Sequence, residues 1–183
     1  MDYVNEIVQL AGVIRPTKAP KSADWNAVEK QLGVTFPKDF KAIVSALGSG
    51  WFGIGFGLRS PCEPSEYARL SRKQLLSYAK LVAESARRSC LHLYPETNGL
   101  VPIGGMDRQG LLLSRSKSSS VLQSTVWWDM DYHVARRIRM SVSRLLYDLY
   151  LGRLRGDWAA RMRNYIWREG TAPFFTQWRG PSQ

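Results

Sequence analysis

A chain of 183 residues that is 44% hydrophobic and carries seven tryptophans holds enough apolar area to offset the entropy of one packed domain, which excludes intrinsic disorder. Its 26 Lys and Arg against 15 Asp and Glu give a formal net charge of +11, so any electrostatic partner is negative, whether phosphate, anionic lipid or acidic protein. Two cysteines, Cys62 and Cys90, and two histidines, His92 and His133, stand in no C-x-x-C or H-x-x-x-H spacing, so neither a zinc site nor a cofactor is expected. The acidic start Met1-Asp-Tyr-Val-Asn-Glu6 does not suit a secretory signal, and no apolar run approaches the ~20 residues of a membrane span. A reduced, cytoplasmic protein is the resulting expectation.

Tyr3, Val4, Ile7, Val8 and Ala11 recur at helical spacing and predict a first helix ending near Gly12, before a proline-containing connector over 15–22. Ser22 can cap a second helix with Trp25, Val28, Glu29 and Leu32 near one side and Gly33 at its exit. Glu29, at the edge of that stripe, needs a Lys, Arg or backbone donor. Pro37 suits the first turn of a third helix, whose buried face is Phe40, Ile43, Val44 and Leu47. The run 51–58 reads as one strand with Gly53, Gly55 and Gly57 on one face. Leu58 stands where G-x-G-x-x-G needs its third glycine, so a helix or a row of side chains is expected to cover the glycines instead of a dinucleotide.

Ser71-Arg-Lys-Gln74 opens a long helix to about Arg88, and 90–94 alternates as a strand. His92 has no nucleophile and no obvious acid nearby in sequence, and reads as structural. Pro95, Pro102, Gly99, Gly104, Gly105 and Gly110 punctuate 93–113 into short strands over 100–103 and 111–113. The serine-rich 114–120 then predicts a hairpin tip that presents Arg115 and Lys117. In the strand 121–128, Trp127 and Trp128 must point to opposite faces, so one is expected in the core and the other exposed. Asp129 and Asp131 fit a turn better than a metal.

Ser141 caps a helix over 142–151, and Asp157 suits the N-cap of another over 158–167; Phe174, Phe175 and Trp178 predict a tail docked on the body. Ten arginines between Arg136 and Arg179, Arg137 among them, face only Asp148, Asp157 and Glu169, so this part carries the positive field. The fold class predicted is α+β, a largely antiparallel sheet packed against N-terminal, central and C-terminal helices.

Trp25-x-x-x-Glu29-x-x-Leu32-Gly33, Phe36-Pro37-x-Asp39-Phe40 and Gly48-x-Gly50 are followed by Tyr94-Pro95-Glu96, Gly99-Leu100, Pro102, Gly104 and Asp107-x-x-Gly110. In order and spacing this set resembles the two-part signature of the SUKH superfamily, which includes Smi/Knr-type regulators and bacterial toxin-immunity proteins. The resemblance runs from about Trp25 to Leu154. It implies one domain over 1–183, with a SUKH-like core at about 22–154 and a basic, aromatic extension at 155–183. It also implies a protein-binding module, not an enzyme: an immunity protein that occludes the active site of a cognate toxin. Asn98 replaces a common glycine, Ser114 a common tryptophan, and the basic charge calls for a toxin with an acidic contact surface. Trp51, Arg115, Trp127, Trp128 and Arg137 are the candidate contacts, since aromatics and arginines dominate interface energetics. The arginine excess gives, as the second reading, a nucleic-acid-binding or scaffold-type regulator.

Overall fold

The computed structural model describes residues 2–11, 21–53, 55–61, 63, 69–106, 108–115, 120–166 and 175–177. The connector over 12–20, Asp107, Lys117 with the rest of the serine-rich tip at 116–119, Phe174, Trp178, Arg168 and Arg179 lie outside them.

The fold is α+β. Helices α1 (Tyr3–Ala11), α2 (Ser22–Leu32) and α3 (Lys38–Leu47) precede the hairpin β1 (Gly50–Phe52) and β2 (Phe56–Leu58). Helices α4 (Arg72–Leu81) and α5 (Ala83–Arg88) come next, then β3 (Val101–Met106), β4 (Gln109–Arg115), β5 (Leu122–Asp129) and β6 (Val134–Ile138). The described chain closes with α6 (Val142–Tyr150), α7 (Asp157–Ile166) and β7 (Phe175–Gln177). All sheet pairings are antiparallel, in the order β6-β5-β4-β3-β2-β1-β7. Six strands therefore form a meander, and β7 returns from the end of the chain to close the β1 side, where Phe175 meets Phe52 at 4.8 Å between ring centroids.

Both faces of the sheet are covered, and the core is correspondingly double. One cluster joins Ile7, Trp25, Phe40, Leu145 and Ala159 of the helices, and Phe36 between α2 and α3, to Phe52, Leu111, Leu113 and Trp127 of the sheet. A smaller one joins Val82 and Ala86 to Leu112, Val126, Trp128 and Met130 on the opposite face. The alternation of Leu111, Leu112 and Leu113 between clusters is the period of two expected of a strand buried on both sides.

Local chemistry accounts for the element ends. Gly33 takes the left-handed conformation at φ 64° and ends α2. Ser22 is the first helical residue of α2 instead of its cap; the Asp24 carboxylate closes this end by accepting the Lys21 N–H at 2.7 Å. Glu29 finds both kinds of donor it requires, the Phe36 N–H at 2.7 Å and Lys41 Nζ at 3.0 Å. Ser141 caps α6 through the Arg144 N–H, and Asp39 of α3 accepts the Ser143 N–H at 3.0 Å, pinning the two helices together. Pro102 sits inside β3 at the register shift between Pro102 and Gly104 in the β3–β4 ladder, the kind of irregularity at which a strand tolerates a residue without an N–H.

Three expected elements take another form. The run 51–58 is a hairpin, because Gly53 at φ 60° turns the chain after Phe52. The long helix is two, broken at Val82 (φ −104°, ψ 11°), where the helical run passes from the first cluster, served by Leu75, to the second, served by Val82 and Ala86. Residues 90–94 form no strand. Cys90 turns at φ 53°, and Leu93 makes only an isolated bridge to Leu100.

Candidate functional site

Several glycines of the sheet lie beside a groove in the described surface. Gly57 sits opposite Trp51 in the β1–β2 hairpin, and a Cβ placed on it would come within 3.0 Å of the indole ring. Trp51 thus lies across its bare neighbour, which accounts for its backbone position and leaves the ring 37% exposed. Across the sheet, the Tyr78 hydroxyl of α4 comes within 3.1 Å of where a Cβ on Gly110 would stand. Of Gly53, Gly55 and Gly57, the last is thus covered by a side chain, as Gly110 is by Tyr78. Between the two aromatics the strand backbones lie close at Gly104 and Gly105, where a Cβ would meet the carbonyl oxygens of Gly57 and Gln109 at 2.3 Å, and a groove of about 380 Å³ lies beside them.

Trp51 borders this groove on the hairpin side, Tyr78 and Leu81 on the α4 side. Leu81 is 82% exposed, an unusual position for a leucine beside a cavity. The Arg59 guanidinium stands 5.7 Å from the centre of the Tyr78 ring. Burial pushes the Tyr78 hydroxyl up to about 12, against the opposing pull of Arg59, so it remains a neutral donor at ordinary pH.

Gln109 and Met130 close the other end. Gln109 Nε2 donates to Asp129 Oδ2 at 3.3 Å, which fixes the amide orientation, and leaves Oε1 buried without a partner among the described residues. Asp129 is 1% exposed on its side chain and fully served: Arg161 Nη1 reaches Oδ2 at 2.6 Å, and the Asp131 and Tyr132 N–H groups reach Oδ1. The predicted turn at Asp129 and Asp131 is there, and its buried carboxylate anchors α7 to the end of β5. Arg161 also lies 3.8 Å from the centre of the Tyr132 ring, and Arg108 pairs with Asp131. This anchored hairpin displays Tyr132 and Val134 to solvent and leads into β6, the outermost strand, whose Arg136 and Arg137 are exposed.

No family model, curated protein or solved structure matches the chain.

The five candidate contact residues do not converge. Trp51 walls the groove and Arg137 is exposed on β6, five strand spacings away, about 24 Å at the usual separation. Arg115 belongs to β4, which a bulge extends beyond Leu113; it is half-buried, with Nε buried and unpartnered among the described residues, and does not sit on a tip. The expectation of one exposed tryptophan in β5 is corrected: Trp127 packs in the first cluster and Trp128 in the second, because helices cover both faces. His92 does meet an acid, Glu96, whose Oε2 lies 2.6 Å from Nδ1 across the turn at 94–99, and the pair is exposed.

Tyr78, Leu81, Arg59 and Gln109 carry the groove but stand out in no motif. Among the described residues, no group of three His, Cys, Asp or Glu could hold a metal ion, and no helix is long and apolar enough to cross a membrane.

Proposed function

We propose that the protein is a non-catalytic binding module of the SUKH type, a cytoplasmic immunity protein that neutralises a cognate toxin by covering its active site. The observation that carries this reading is the outer strand β6, with exposed Arg136 and Arg137 following exposed Tyr132 and Val134 on a hairpin anchored by Asp129. Aromatics and arginines held rigid beforehand cost little entropy on binding and supply most of the energy of protein interfaces. The +11 charge selects a toxin with an acidic contact surface and speeds encounter with it. Co-expression with toxins encoded beside it tests the proposal: protection and a co-purifying complex are expected. The double variant Arg136→Glu/Arg137→Glu should weaken binding by about tenfold or more, chiefly through a slower association rate. Failure to protect against or bind any of those toxins overturns it.

The density of arginines after Arg136 favours, as a second reading, a regulator that binds nucleic acid. Affinity for DNA and RNA that falls steeply with salt would support it, and no binding at low salt would remove it.

A further inference from the structure

Strand β6 ends the sheet: β5 pairs with it along one edge, and no other described strand lies along the other. In an antiparallel ladder alternate residues bond to the neighbouring strand, so the N–H and C=O groups of the remaining ones point away from the sheet, where a further strand can pair with them. The clusters that bury β4 and β5 from both sides do not extend over β6, in which every residue before Ile138 is exposed. Both the edge and the two faces beside it are therefore open to an extended segment.

The register with β5 decides what such a segment meets. Arg136 stands opposite Trp127 and Arg137 opposite Val126, which belong to the two different clusters, so the two arginines leave the sheet on opposite faces. Arg136, Arg137 and Arg139 are exposed, and their side chains have no hydrogen-bond, ion-pair or ring partner among the described residues. The acids closest to them in the hairpin are already engaged, Asp129 by Arg161 and Asp131 by Arg108. Val134 adds exposed apolar surface on the face of Arg136. A second copy of this chain is a poor occupant, because pairing β6 antiparallel with its own copy sets arginine against or beside arginine, and like charges so placed are destabilising. Charge on an edge strand guards against such self-pairing, and here it leaves the ladder open to a strand of opposite sign.

We propose that β6 is a strand-addition site for an acidic, extended segment of a partner protein, which continues the sheet antiparallel and sets two adjacent carboxylates against Arg136 and Arg137, one on each face. The inference rests on the reading of β6 as the contact surface and adds how the contact is made: main-chain hydrogen bonds supply affinity, and the alternation of side chains supplies selectivity. In the added strand the residues opposite 137, 136, 135 and 134 follow in that order, so the pattern selected is acid, acid, any residue, apolar residue.

A β-hairpin peptide of about 14 residues carrying this pattern with two glutamates on one strand, cyclised so that binding costs little ordering entropy, tests the site when titrated into the isotope-labelled full chain and followed by NMR. Saturable binding below about 1 mM at low salt is expected, with shift changes centred on β6 and slowed hydrogen exchange at alternate β6 amides. Methylating the outward-facing amide nitrogens of the glutamate strand keeps its charge and the hairpin's own ladder but removes the main-chain donors, and should weaken binding by about tenfold or more. Replacing both glutamates by lysine should abolish binding to the parent. Arg136→Glu/Arg137→Glu should invert the preference, so that the lysine hairpin binds and the glutamate hairpin does not, which also shows that the variant is folded. No saturable binding of the glutamate hairpin overturns the proposal. So does binding that methylation leaves within about twofold, since the carboxylates would then be held by the arginine side chains alone. If the hairpin fails while a toxin encoded beside the protein is bound through Arg136 and Arg137, strand addition falls and the toxin reading stands. If the hairpin binds as described and no such toxin does, the strand site stands and the toxin reading falls.

Discussion

Trp127 and Trp128 are consecutive, both buried, and chemically alike, yet their indole nitrogens meet opposite fates. Trp128 Nε1 donates to Ser89 Oγ at 2.8 Å, and that hydroxyl donates onward to the Ser85 carbonyl at 2.8 Å. Trp127 Nε1 is buried with no partner among the described residues, although its ring packs 6.0 Å from that of Trp158. Replacing either ring by phenylalanine removes similar volume, but only at Trp128 does it also break a hydrogen bond, leaving Ser89 Oγ with its bond to the Ser85 carbonyl alone. Trp128→Phe is therefore expected to cost more than Trp127→Phe, by about 1–2 kcal/mol in urea unfolding, and Ser89→Ala about 1–3 kcal/mol. Equal losses for the two tryptophans would contradict this account. At this scale the sequence was informative about need and silent about supply. Glu29 announced that it required a donor and received two, whereas nothing around Trp128 in sequence pointed to Ser89, 39 residues earlier.

Helix α4 couples the groove to stability through Tyr78. Its hydroxyl is held neutral by burial up to about 12, whereas in the unfolded chain it ionises near its ordinary value of 10. Below that ordinary value the phenol is neutral in both states and stability is unaffected. Above it the unfolded state releases the proton first, so stability falls as pH rises through the window from about 10 to about 12. Tyr78→Phe should flatten this loss, measured as the difference in urea midpoint between variant and parent across the window. Some slope should persist, because burial also raises Tyr150. An unchanged slope would mean that Tyr78 is not buried against α4 and the sheet as described. Elements with a single buried stripe and clean caps, such as α3 and α6, were legible from spacing. The break at Val82 was not, because each half of the stripe is compatible with one continuous helix and only the existence of two clusters separates them. Strand β6 escaped for the reverse reason: four of its five residues are exposed, so Val134-Ala-Arg-Arg-Ile138 shows no alternation.

The groove itself belongs to the whole molecule, since β1, β2, β3, α4 and the start of β4 each contribute to it. Its walls come from residues 51, 78 and 109, whose meeting depends on the topology and is marked by no motif. Charge is likewise a whole-molecule property. A net +11 on a chain of this size repels itself, and the ion pairs that oppose the repulsion are mostly exposed, as for Arg87 and Arg88 with Glu84, and contribute little each. Screening therefore removes more repulsion than attraction. The melting temperature is expected to rise between about 0.02 and about 0.15 M monovalent salt, as the Debye length shrinks to about 8 Å. Arg136→Glu/Arg137→Glu should raise the low-salt melting temperature and weaken its salt dependence, because two of the exposed cations on β6 are replaced by anions. A melting temperature that falls with salt in the parent, or drops in the double variant, would show that these arginines stabilise the fold. The expected result instead makes β6 a place where stability is given up for an exposed positive edge.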